Sequence, residues 1–381
     1  MTNDLQQRLA ATAFAFRGYN VTNLGRSAEL LAQRAYQATV ERHLAEASEV
    51  CSEVTGQAVD LAARVRRGEE TSLATYPEAV SLVIAMEMAQ LHLLSECFDV
   101  CYARAKLAYG YSLGEMAAVI AGGVFEMRDA LRIPLTMAAD CVALAEGVTM
   151  GVLFSRGALL GLDDILRLCV RITAEGHGVI GVSSQLSPNT VLLLGQGGTI
   201  DRFMELMAGS LPERVYLRKN HDAWPPLHTP LVWQRNIPNR AGVLMQTMPG
   251  GLKKPDVPIF SLVTGKRSYN DFNARDLLTR WIDHPQRLWD AVYETLASGI
   301  EVVVHVGPDP NLIPATFHRL TDNVTAQLEG KSLGSFGRRA MSQALRRPWL
   351  SGLLPSRSAL LRAPHVAHVI LEDWLLEHAP Q

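Results

Sequence analysis

A glycine–serine pattern between an apolar segment and a helical segment constrains the fold of this chain more than any other feature. The motif Gly110-Tyr111-Ser112-Leu113-Gly114 follows the short apolar stretch 105–109 and precedes an alanine-rich run with helical spacing. In a strand–turn–helix arrangement of this kind, the two glycines leave space for a strained serine that projects its hydroxyl. The first N–H groups of the helix then lie where an oxyanion forms. The pattern predicts an α/β fold with Ser112 as a nucleophile, and a plain Gly/Ser turn is the alternative.

Composition favours a well-packed soluble enzyme. The 381 residues are 48% hydrophobic and 19% charged, which is enough apolar sequence for one large core or two unequal ones. The formal net charge of -2 gives no overall attraction to nucleic acid or to a membrane. The five cysteines include no CxxC pair, so we expect no disulfide framework, no metal and no redox cofactor. The amino-terminal stretch lacks the pattern of a secretory signal, and we therefore expect a cytoplasmic protein.

Short apolar runs predict the strands of a large α/β domain. Residues 12–16 (TAFAF) end at an Arg-Gly pair, as a buried strand that enters a loop does. The stretches 105–109, 259–263 and 302–307 are further strand candidates. Apolar residues recur at helical spacing in two longer stretches, 27–67 and 77–94.

Between about residues 151 and 218, strand-like and helical stretches follow one another in the order βαββαβ. This order is that of a split ferredoxin-like subdomain. We predict an α/β protein in which a hydrolase-like large subdomain with a parallel sheet carries an inserted ferredoxin-like small subdomain. The predicted boundaries are 1–145 and 221–330 for the large subdomain, 146–220 for the small subdomain, and 331–381 for a basic carboxyl-terminal appendage.

The appendage begins with a stretch that contains cations and no acidic residue. Its seven cations are Lys331, Arg338, Arg339, Arg346, Arg347, Arg357 and Arg362. A stretch of this kind suits the docking of an acidic partner protein or of phosphates. Solvated positive surface is the commoner explanation. The final segment, VAHVILEDWLLEH, is amphipathic enough to pack on the body of the protein or on a partner.

A nucleophilic serine needs a base, and eleven histidines compete for that role. His228 lies in the Pro-rich loop Pro-Leu-His-Thr-Pro, where a side chain can be held rigidly near another loop. On this ground alone His221, His284 and His305 are comparable candidates.

Five segments, in order along the chain, resemble malonyl-CoA:acyl-carrier-protein transacylases and polyketide-synthase acyltransferase domains. GYSLGE looks like the GHSxGE elbow of that family, and FRGYNVT (16–22) stands where the family has FPGQGSQ. LHTPL (227–231) matches the loop that carries the family's catalytic histidine. IFSLVTG (259–265) matches the family's xxSNVTG segment, and HVGPDPNL (305–312) matches its VGPxxxL segment. The resemblance covers about residues 12–325, with the inserted subdomain included.

The resemblance implies an acyltransferase that moves an acyl group from CoA, malonyl in the family, to the thiol of an acyl carrier protein. Ser112 would be the acylated nucleophile and His228 its base. The substrates would be an acyl-CoA and the carrier's pantetheine, with no bound cofactor. The oxyanion would accept hydrogen bonds from the backbone N–H of Leu113 and of a residue in loop 17–22, for which we select Thr22. Carbonyls near residues 261–263 would orient the histidine without an acidic third residue.

Several residues depart from the family pattern near the expected acyl pocket. Tyr111 replaces the elbow histidine, and Tyr19 and Thr22 replace two glutamines of the first loop. Tyr76 replaces a glutamine, and Leu262 replaces an asparagine. We take Tyr19, Tyr76, Tyr111 and Leu262 as pocket residues.

Met137 is the departure with the largest consequence, and we place it in the same pocket. It stands 25 residues after Ser112, where the family has the arginine that pairs with the malonyl carboxylate. A carboxylate without a partner in an apolar pocket costs several kcal/mol. Either the acyl group is neutral, or a shifted register near Pro134 or another cation, such as Arg128 or Arg132, supplies the charge. Our hypothesis is a preference for a neutral acyl group.

Two other functions fit the same sequence. A thioesterase or lipase-like hydrolase would use the same serine and base but would admit water to the acyl-enzyme. A catalytically inactive relative would bind a carrier protein or act as a scaffold, which the number of departures near the pocket keeps open.

Overall fold

The structure, a computed structural model, describes residues 2–156, 159–329 and 356–380, and it places their strands in two separate sheets. The strands are β1 Thr12–Phe16, β2 Leu107–Gly110, β3 Val148–Ser155, β4 Ile180–Ser187, β5 Thr190–Gln196, β6 Val215–Asn220, β7 Val302–Val306 and β8 Ala367–Ile370. The helices are α1 Thr2–Gln7, α2 Ser27–Ala32, α3 Gln37–Thr55, α4 Leu61–Arg67, α5 Tyr76–Phe98, α6 Leu113–Ala121, α7 Met127–Ala130, α8 Arg132–Ala145, α9 Leu162–Ala174, α10 Thr199–Met207, α11 Ile237–Thr247, α12 Ala274–Trp281, α13 Leu288–Ala297, α14 Leu312–Glu329 and α15 Leu371–Glu377.

The first sheet is parallel, with strand order β2-β1-β7-β8. Every residue of β1, β2 and β7 is buried, because helices cover both faces of the sheet, as parallel sheets require. The carboxyl ends of these three strands lie side by side, at Phe16, Gly110 and Val306. Loops that follow the strands at this edge are where ligands bind in open α/β sheets.

The second sheet is antiparallel, with strand order β4-β5-β3-β6. Helices α9 and α10 pack on it around a small core of their own that contains Leu153, Ile165 and Phe203. Strands and helices follow one another as βαββαβ, with the first strand in the middle of the sheet, which is the ferredoxin-like plan. The predicted fold class, a large subdomain with a parallel sheet and a ferredoxin-like small subdomain, is confirmed.

Two predicted elements differ from the structure. The predicted helical stretch 27–67 is divided into α2, α3 and α4, and Gly56 in the left-handed conformation (φ 69°) ends α3. The predicted strand 259–263 forms only a single parallel bridge between Ile259 and Ala108. The chain turns away immediately afterwards, since the N–H of Gly265 donates to the carbonyl of Ser261 (2.9 Å).

The carboxyl-terminal part of the predicted appendage belongs to the body of the protein. β8 pairs in parallel with β7, and α15 packs on α2 and α5. Arg362, predicted to be part of a basic surface, is 3% exposed and donates to the carbonyls of Leu296 (2.5 Å) and Ile300 (3.0 Å). A strand that completes a sheet cannot be an appendage, so this prediction is wrong for residues 367–377. Residues 331–347, which carry most of the basic stretch, lie outside the described residues.

Helix α5 is the central helix of the large core. The segment Leu73–Phe98 is long and apolar enough to cross a membrane, with a mean hydropathy of 1.3 over its most apolar window. However, 78% of that window is buried inside the protein, which is typical of a core helix.

Candidate active site

Ser112 lies in a sharp turn between β2 and α6. Its backbone has φ 54° and ψ -119°, a strained conformation for any residue other than glycine. A Cβ on Gly110 would lie 2.0 Å from the backbone of Gly114, and one on Gly114 would lie 2.3 Å from the carbonyl oxygen of Phe16. Both glycines are therefore required by close backbone contacts, and the turn has the geometry of a nucleophile elbow.

We expect Gly114→Ala to destabilise the protein by about 1–3 kcal/mol, because the new methyl group must displace the backbone of β1. Urea unfolding followed by circular dichroism measures this. Gly147→Ala is the matched control, since a Cβ at Gly147 would meet nothing within 4 Å. Equal stability of the two variants would contradict the close packing of the elbow.

The structure places His228 against Ser112. Ser112 Oγ lies 2.7 Å from His228 Nε2, and His228 Nδ1 lies 2.7 Å from the carbonyl oxygen of Trp281. Because a carbonyl only accepts hydrogen bonds, Nδ1 carries the proton and Nε2 is free to accept the serine proton. The backbone N–H of His228 donates to the carbonyl of Ile282 (2.7 Å) and fixes the ring further. The orienting carbonyl belongs to Trp281, so our expectation that it comes from residues 261–263 is wrong.

Burial keeps His228 neutral. The side chain is 4% exposed, and desolvation lowers the pKa of His228 to about 4. The base form of the ring is the form that prevails at neutral pH.

We therefore expect the rate of acyl loading on Ser112 to be nearly independent of pH from 8 to 5. It should fall about tenfold per pH unit below pH 4, where His228 is protonated and no longer accepts the serine proton. Rapid-quench loading assays in overlapping buffers measure the loading rate as a function of pH. Circular dichroism at each pH verifies that the protein remains folded. A midpoint near 6.5 would contradict a buried, neutral base.

Gln286 and Trp281 complete the site, and the sequence analysis identified neither. Gln286 is fully buried; its Oε1 accepts from the backbone N–H of Ser112 (3.2 Å), and its Nε2 lies 3.3 Å from His228 Nδ1. Its backbone N–H donates to Ser183 (2.8 Å) in β4, so it joins the elbow to the small subdomain. Trp281 Nε1 donates to the carbonyl of Ser112 (2.8 Å). Gln286 stands two residues after His284, and this position gives no indication in the sequence that it contacts Ser112 or His228.

Glu115 fixes the start of α6 through hydrogen bonds to the segment 262–269. Its buried carboxylate accepts from the backbone N–H of Leu262 (2.9 Å) and from the hydroxyl of Tyr269 (3.0 Å). Burial raises the pKa of Glu115 to about 7. Leu262 thus holds the elbow in place through its backbone, while its side chain packs in a core cluster.

A cavity of about 340 Å³ opens beside Ser112 and His228, between the two subdomains. Of the predicted pocket residues, Tyr19, Tyr76 and Tyr111 line it, whereas Met137 and Leu262 do not. Met137 is 1% exposed and belongs to the large core. Its assignment to the pocket is therefore wrong, because α8 turns that side chain into the core. Aliphatic walls complete the cavity: Met150, Val152, Leu186, Leu192, Leu194 and Ile313.

The first loop, residues 17–22, reaches the cavity beside Ser112 with Gly18 and Tyr19, and Thr22 does not line the cavity. A Cβ on Gly18 would lie 3.4 Å from Ser112 Cβ. The Thr22 hydroxyl instead donates to Asp309 Oδ2 (3.1 Å), and its carbonyl accepts from Arg17 Nη2 (3.0 Å). The choice of Thr22 as the oxyanion donor is therefore wrong, because the loop points its Gly18–Tyr19 end at the elbow.

Arg17 holds this loop from inside. Its guanidinium donates to the carbonyls of Gly18 (2.8 Å), Thr22 and Pro308 and to Asn23 Oδ1 (2.9 Å). The side chain is 4% exposed, and burial lowers the pKa of Arg17 from its ordinary value. Its donors are directed at backbone and side-chain oxygens of the first loop and of the turn at Pro308, although the residue also lines the cavity.

Neither of the cations suggested as substitutes for Met137 reaches the cavity. Arg128 pairs with Glu49 (2.8 Å) and Arg132 with Glu53 (2.6 Å), both on the protein surface. Arg319 of α14 does line the cavity, at its rim, where its side chain is exposed.

The other candidate histidines lie apart from the hydroxyl of Ser112. His284 pairs with Asp283 (2.6 Å), and His221 lines a neighbouring groove. His305 lines the cavity but contacts His368 with its Nε2 (3.0 Å). Among residues 2–156, 159–329 and 356–380, no three histidine, cysteine or acidic side chains come together as metal ligands would.

Sequence comparison finds relatives that match a little more than half of the chain. No family model matches the chain. It is 28% identical over 220 residues to the malonyl CoA-acyl carrier protein transacylase of Escherichia coli K12, which covers 57% of this chain and 66% of that protein. It is 24% identical over 203 residues to polyketide synthase GfsA of Streptomyces halstedii, 52% of this chain and 2% of the synthase. The match thus spans slightly less than two thirds of the transacylase.

Solved structures share the fold over a larger part of the chain. MCAT of Streptococcus pneumoniae aligns with a TM-score of 0.66 at 19% identity, over 96% of this chain and 99% of that one. The acyltransferase domain of module 8 of the salinomycin polyketide synthase aligns at 0.64 and 20% identity, over 81% and 67%. A malonyl-transacylase solved with its type II polyketide acyl-carrier protein, PlMCAT:AntF, aligns at 0.59 and 23%, over 80% and 91%. In sequence, this chain is similar to a malonyl CoA-acyl carrier protein transacylase and to part of a polyketide synthase, and it shares the fold of a malonyl-transacylase and of a polyketide-synthase acyltransferase domain.

Proposed function

We propose that this protein is an acyltransferase that moves an acyl group from CoA to the thiol of an acyl carrier protein through an acyl-Ser112 intermediate. The observation that carries the proposal is the 2.7 Å contact between Ser112 Oγ and a neutral His228 inside an apolar cavity. The similarity to transacylases selects acyl transfer among the reactions of serine nucleophiles.

In the first half-reaction, Ser112 Oγ attacks the thioester carbonyl as His228 Nε2 takes its proton. The backbone N–H groups of Leu113, at the start of α6, and of Tyr19, in the loop held by Arg17, are our candidates for the oxyanion donors. The tetrahedral intermediate collapses with cleavage of the C–S bond, and His228 returns the proton to the departing CoA thiolate.

In the second half-reaction, the pantetheine thiol of the carrier protein gives its proton to His228 and attacks acyl-Ser112. Ser112 leaves as the alkoxide and recovers the proton. Enclosure of the ester between the two subdomains favours the thiol over water. The similarity to transacylases and the carrier complex of one structural neighbour support a carrier protein as the acceptor. A cytoplasmic location is part of this proposal.

Intact-mass spectrometry after incubation with a panel of acyl-CoAs tests the proposal. We expect a mass increase of one acyl group, located on the Ser112 peptide, that disappears when pantetheinylated carrier protein is added. Loss of the adduct at the same rate without carrier would show a thioesterase. An unmodified protein with every acyl-CoA would leave the inactive, carrier-binding relative as the surviving hypothesis.

The cavity supports a preference for a neutral acyl group. Arg128 and Arg132 are paired at the surface, and Met137 lies in the core. The donors of Arg17 are occupied by its own loop and by the carbonyl of Pro308. Arg319 is the competing candidate for a carboxylate partner, because it lines the rim of the cavity.

Loading rates for malonyl-CoA and butyryl-CoA, measured with the unmodified protein and with Arg319→Met, separate the two interpretations. We expect butyryl-CoA to load faster and Arg319→Met to leave the ratio unchanged. Much faster loading of malonyl-CoA would overturn the preference, and loss of that loading in Arg319→Met would assign the carboxylate to Arg319.

A further inference from the structure

The segment 281–286 holds both backbone groups of Ser112. Trp281 Nε1 donates to the carbonyl of Ser112 (2.8 Å), and Gln286 Oε1 accepts from its N–H (3.2 Å). A backbone with φ 54° and ψ -119° persists only where the surrounding structure fixes it more than once. Gln286 therefore supplies one of the two side-chain hydrogen bonds that keep the nucleophile in its strained conformation.

The other end of the same amide stands against the base. Gln286 Nε2 lies 3.3 Å from His228 Nδ1, whose proton is already donated to the carbonyl of Trp281 (2.7 Å). Two donors meet there, so this end of the amide confines the ring by contact and offers it no acceptor. With Oε1 toward Ser112, the N–H groups of Ser112 and of His228 Nδ1 both have acceptors. The reversed amide would leave the N–H of Ser112 without one.

The amide beside His228 is neutral, and in the part of the chain that the structure describes no carboxylate pairs with the ring. Asp283 acts on the ring through its charge, but its carboxylate accepts from Trp233 Nε1 (2.9 Å) and pairs with His284 (2.6 Å). In serine–histidine–aspartate sites, a buried carboxylate accepts from Nδ1–H and stabilises the charged ring. Gln286 stands beside Nδ1 without that charge.

Strand β4 fixes Gln286 from the other side. The backbone N–H of Gln286 donates to the carbonyl of Ser183 (2.8 Å). Its own carbonyl accepts from the N–H of Gln185 (2.9 Å) and from Ser184 Oγ (3.0 Å). The residue is 0% exposed, so it has little room to move. The same strand contributes Ser183 and Leu186 to the cavity wall.

We propose that Gln286 is a positioning residue for acyl transfer: it holds the Ser112 turn and the His228 ring in one fixed relation to the cavity wall, and its neutral amide leaves the ring in the base form. Gln286 does not line the cavity and acts through the two residues that do. The inference rests on the proposed function, which makes Ser112 the nucleophile and His228 its base.

Gln286→Met keeps the length of the side chain and removes both polar ends. The readout is the rate at which a fluorophosphonate labels Ser112, followed by intact mass. In this reaction Ser112 Oγ bonds to phosphorus, fluoride leaves, and His228 takes the proton. We expect the rate to fall about 10²-fold, because the turn and the ring lose their common alignment. A rate within about threefold of that of the unmodified protein would overturn the inference.

Gln286→Glu keeps an oxygen for the N–H of Ser112 and turns a second oxygen toward His228 Nδ1–H. The positive end of α6 lies beside it and favours the ionised carboxylate. We expect NMR titration of 15N-histidine protein to show the midpoint of His228 rising from about 4 by about one to two pH units. The signal is assigned by its absence in His228→Ala protein. At pH 8 the labelling rate should recover to within about tenfold of the normal rate. A midpoint that stays near 4 would contradict the position assigned to the amide.

Gln90 provides the matched control. It is a buried glutamine of α5 whose Oε1 also accepts from a backbone N–H, that of Gly307 (2.8 Å), and it does not line the cavity. Gln90→Met should label within about threefold of the normal rate, and Gln90→Glu should leave the midpoint of His228 unchanged. An equal loss of rate in Gln90→Met and Gln286→Met would reduce the effect to general packing and overturn the inference.

The two proposals fail in different ways. If no acyl-CoA loads Ser112, the proposed transfer fails, while the fluorophosphonate rates and the titration still decide whether Gln286 positions the serine–histidine pair. If Gln286→Met protein does not fold, as judged by circular dichroism, the titration of Gln286→Glu protein decides the inference.

Discussion

Ser112→Ala should abolish acyl loading, with a fall of about 10⁴-fold or more in the rate of transfer to the carrier thiol. The Oγ atom is the one that would carry the acyl group, and it lies 2.7 Å from its base at the start of α6. The positive φ of 54° is no more strained for alanine than for serine, so the variant should fold normally. Rapid-quench intact-mass measurement gives the loading rate, and thermal unfolding verifies the fold.

An acyl adduct that still forms on Ser112→Ala protein within tenfold of the normal rate would place the nucleophile elsewhere. Ser183 is then the first residue to examine, because it also lines the cavity.

His228→Ala is expected to reduce the loading rate by about 10⁴-fold, since without the imidazole no group takes the proton of Ser112. The double variant with Ser112→Ala should be no slower than either single variant, because the two residues act as one unit. Steady-state transfer and rapid-quench loading measure both effects. His43→Ala is the control for the loss of a buried histidine, since His43 lies outside the cavity.

Loading by His228→Ala protein within tenfold of the normal rate would show that another group is the base. His305 is the one remaining histidine on the cavity wall among the described residues. Comparison of His228→Ala with the His228→Ala, His305→Leu double variant would then identify it.

The elbow and the fold class could be predicted from sequence because their causes are local. The close contacts of Gly110 and Gly114 leave no room for a Cβ, so the presence of glycine at both positions indicates the turn. The apolar runs of β1 and β7 indicate buried parallel strands, because a strand that is covered on both faces is apolar along its whole length. The choice of His228 over its rivals needed the family resemblance, since nothing in a single loop shows which distant hydroxyl it meets.

Contacts made only by tertiary structure escaped prediction. Gln286 and Trp281 meet Ser112 from 174 and 169 residues away, and no periodicity encodes such a contact. Met137 was placed in the pocket by counting from the serine, which fixes a position on α8 but not the direction of the side chain. Thr22 was selected on the correct loop, yet the fold of that loop brings Gly18 and not Thr22 to the elbow.

The position of α15 determines how the basic stretch can be tested. Glu372 accepts from the backbone N–H of Asp309 (2.7 Å) and of Arg26 (2.9 Å), and so braces the turn whose Pro308 carbonyl accepts from Arg17. A stop codon at Gly330 would remove this brace together with β8. The first loop, residues 17–22, would then lose the support that it receives through Arg17 and Pro308, and impaired kinetics would not distinguish this effect from a loss of carrier docking. Charge-neutralising substitutions that leave residues 356–380 intact are the appropriate route.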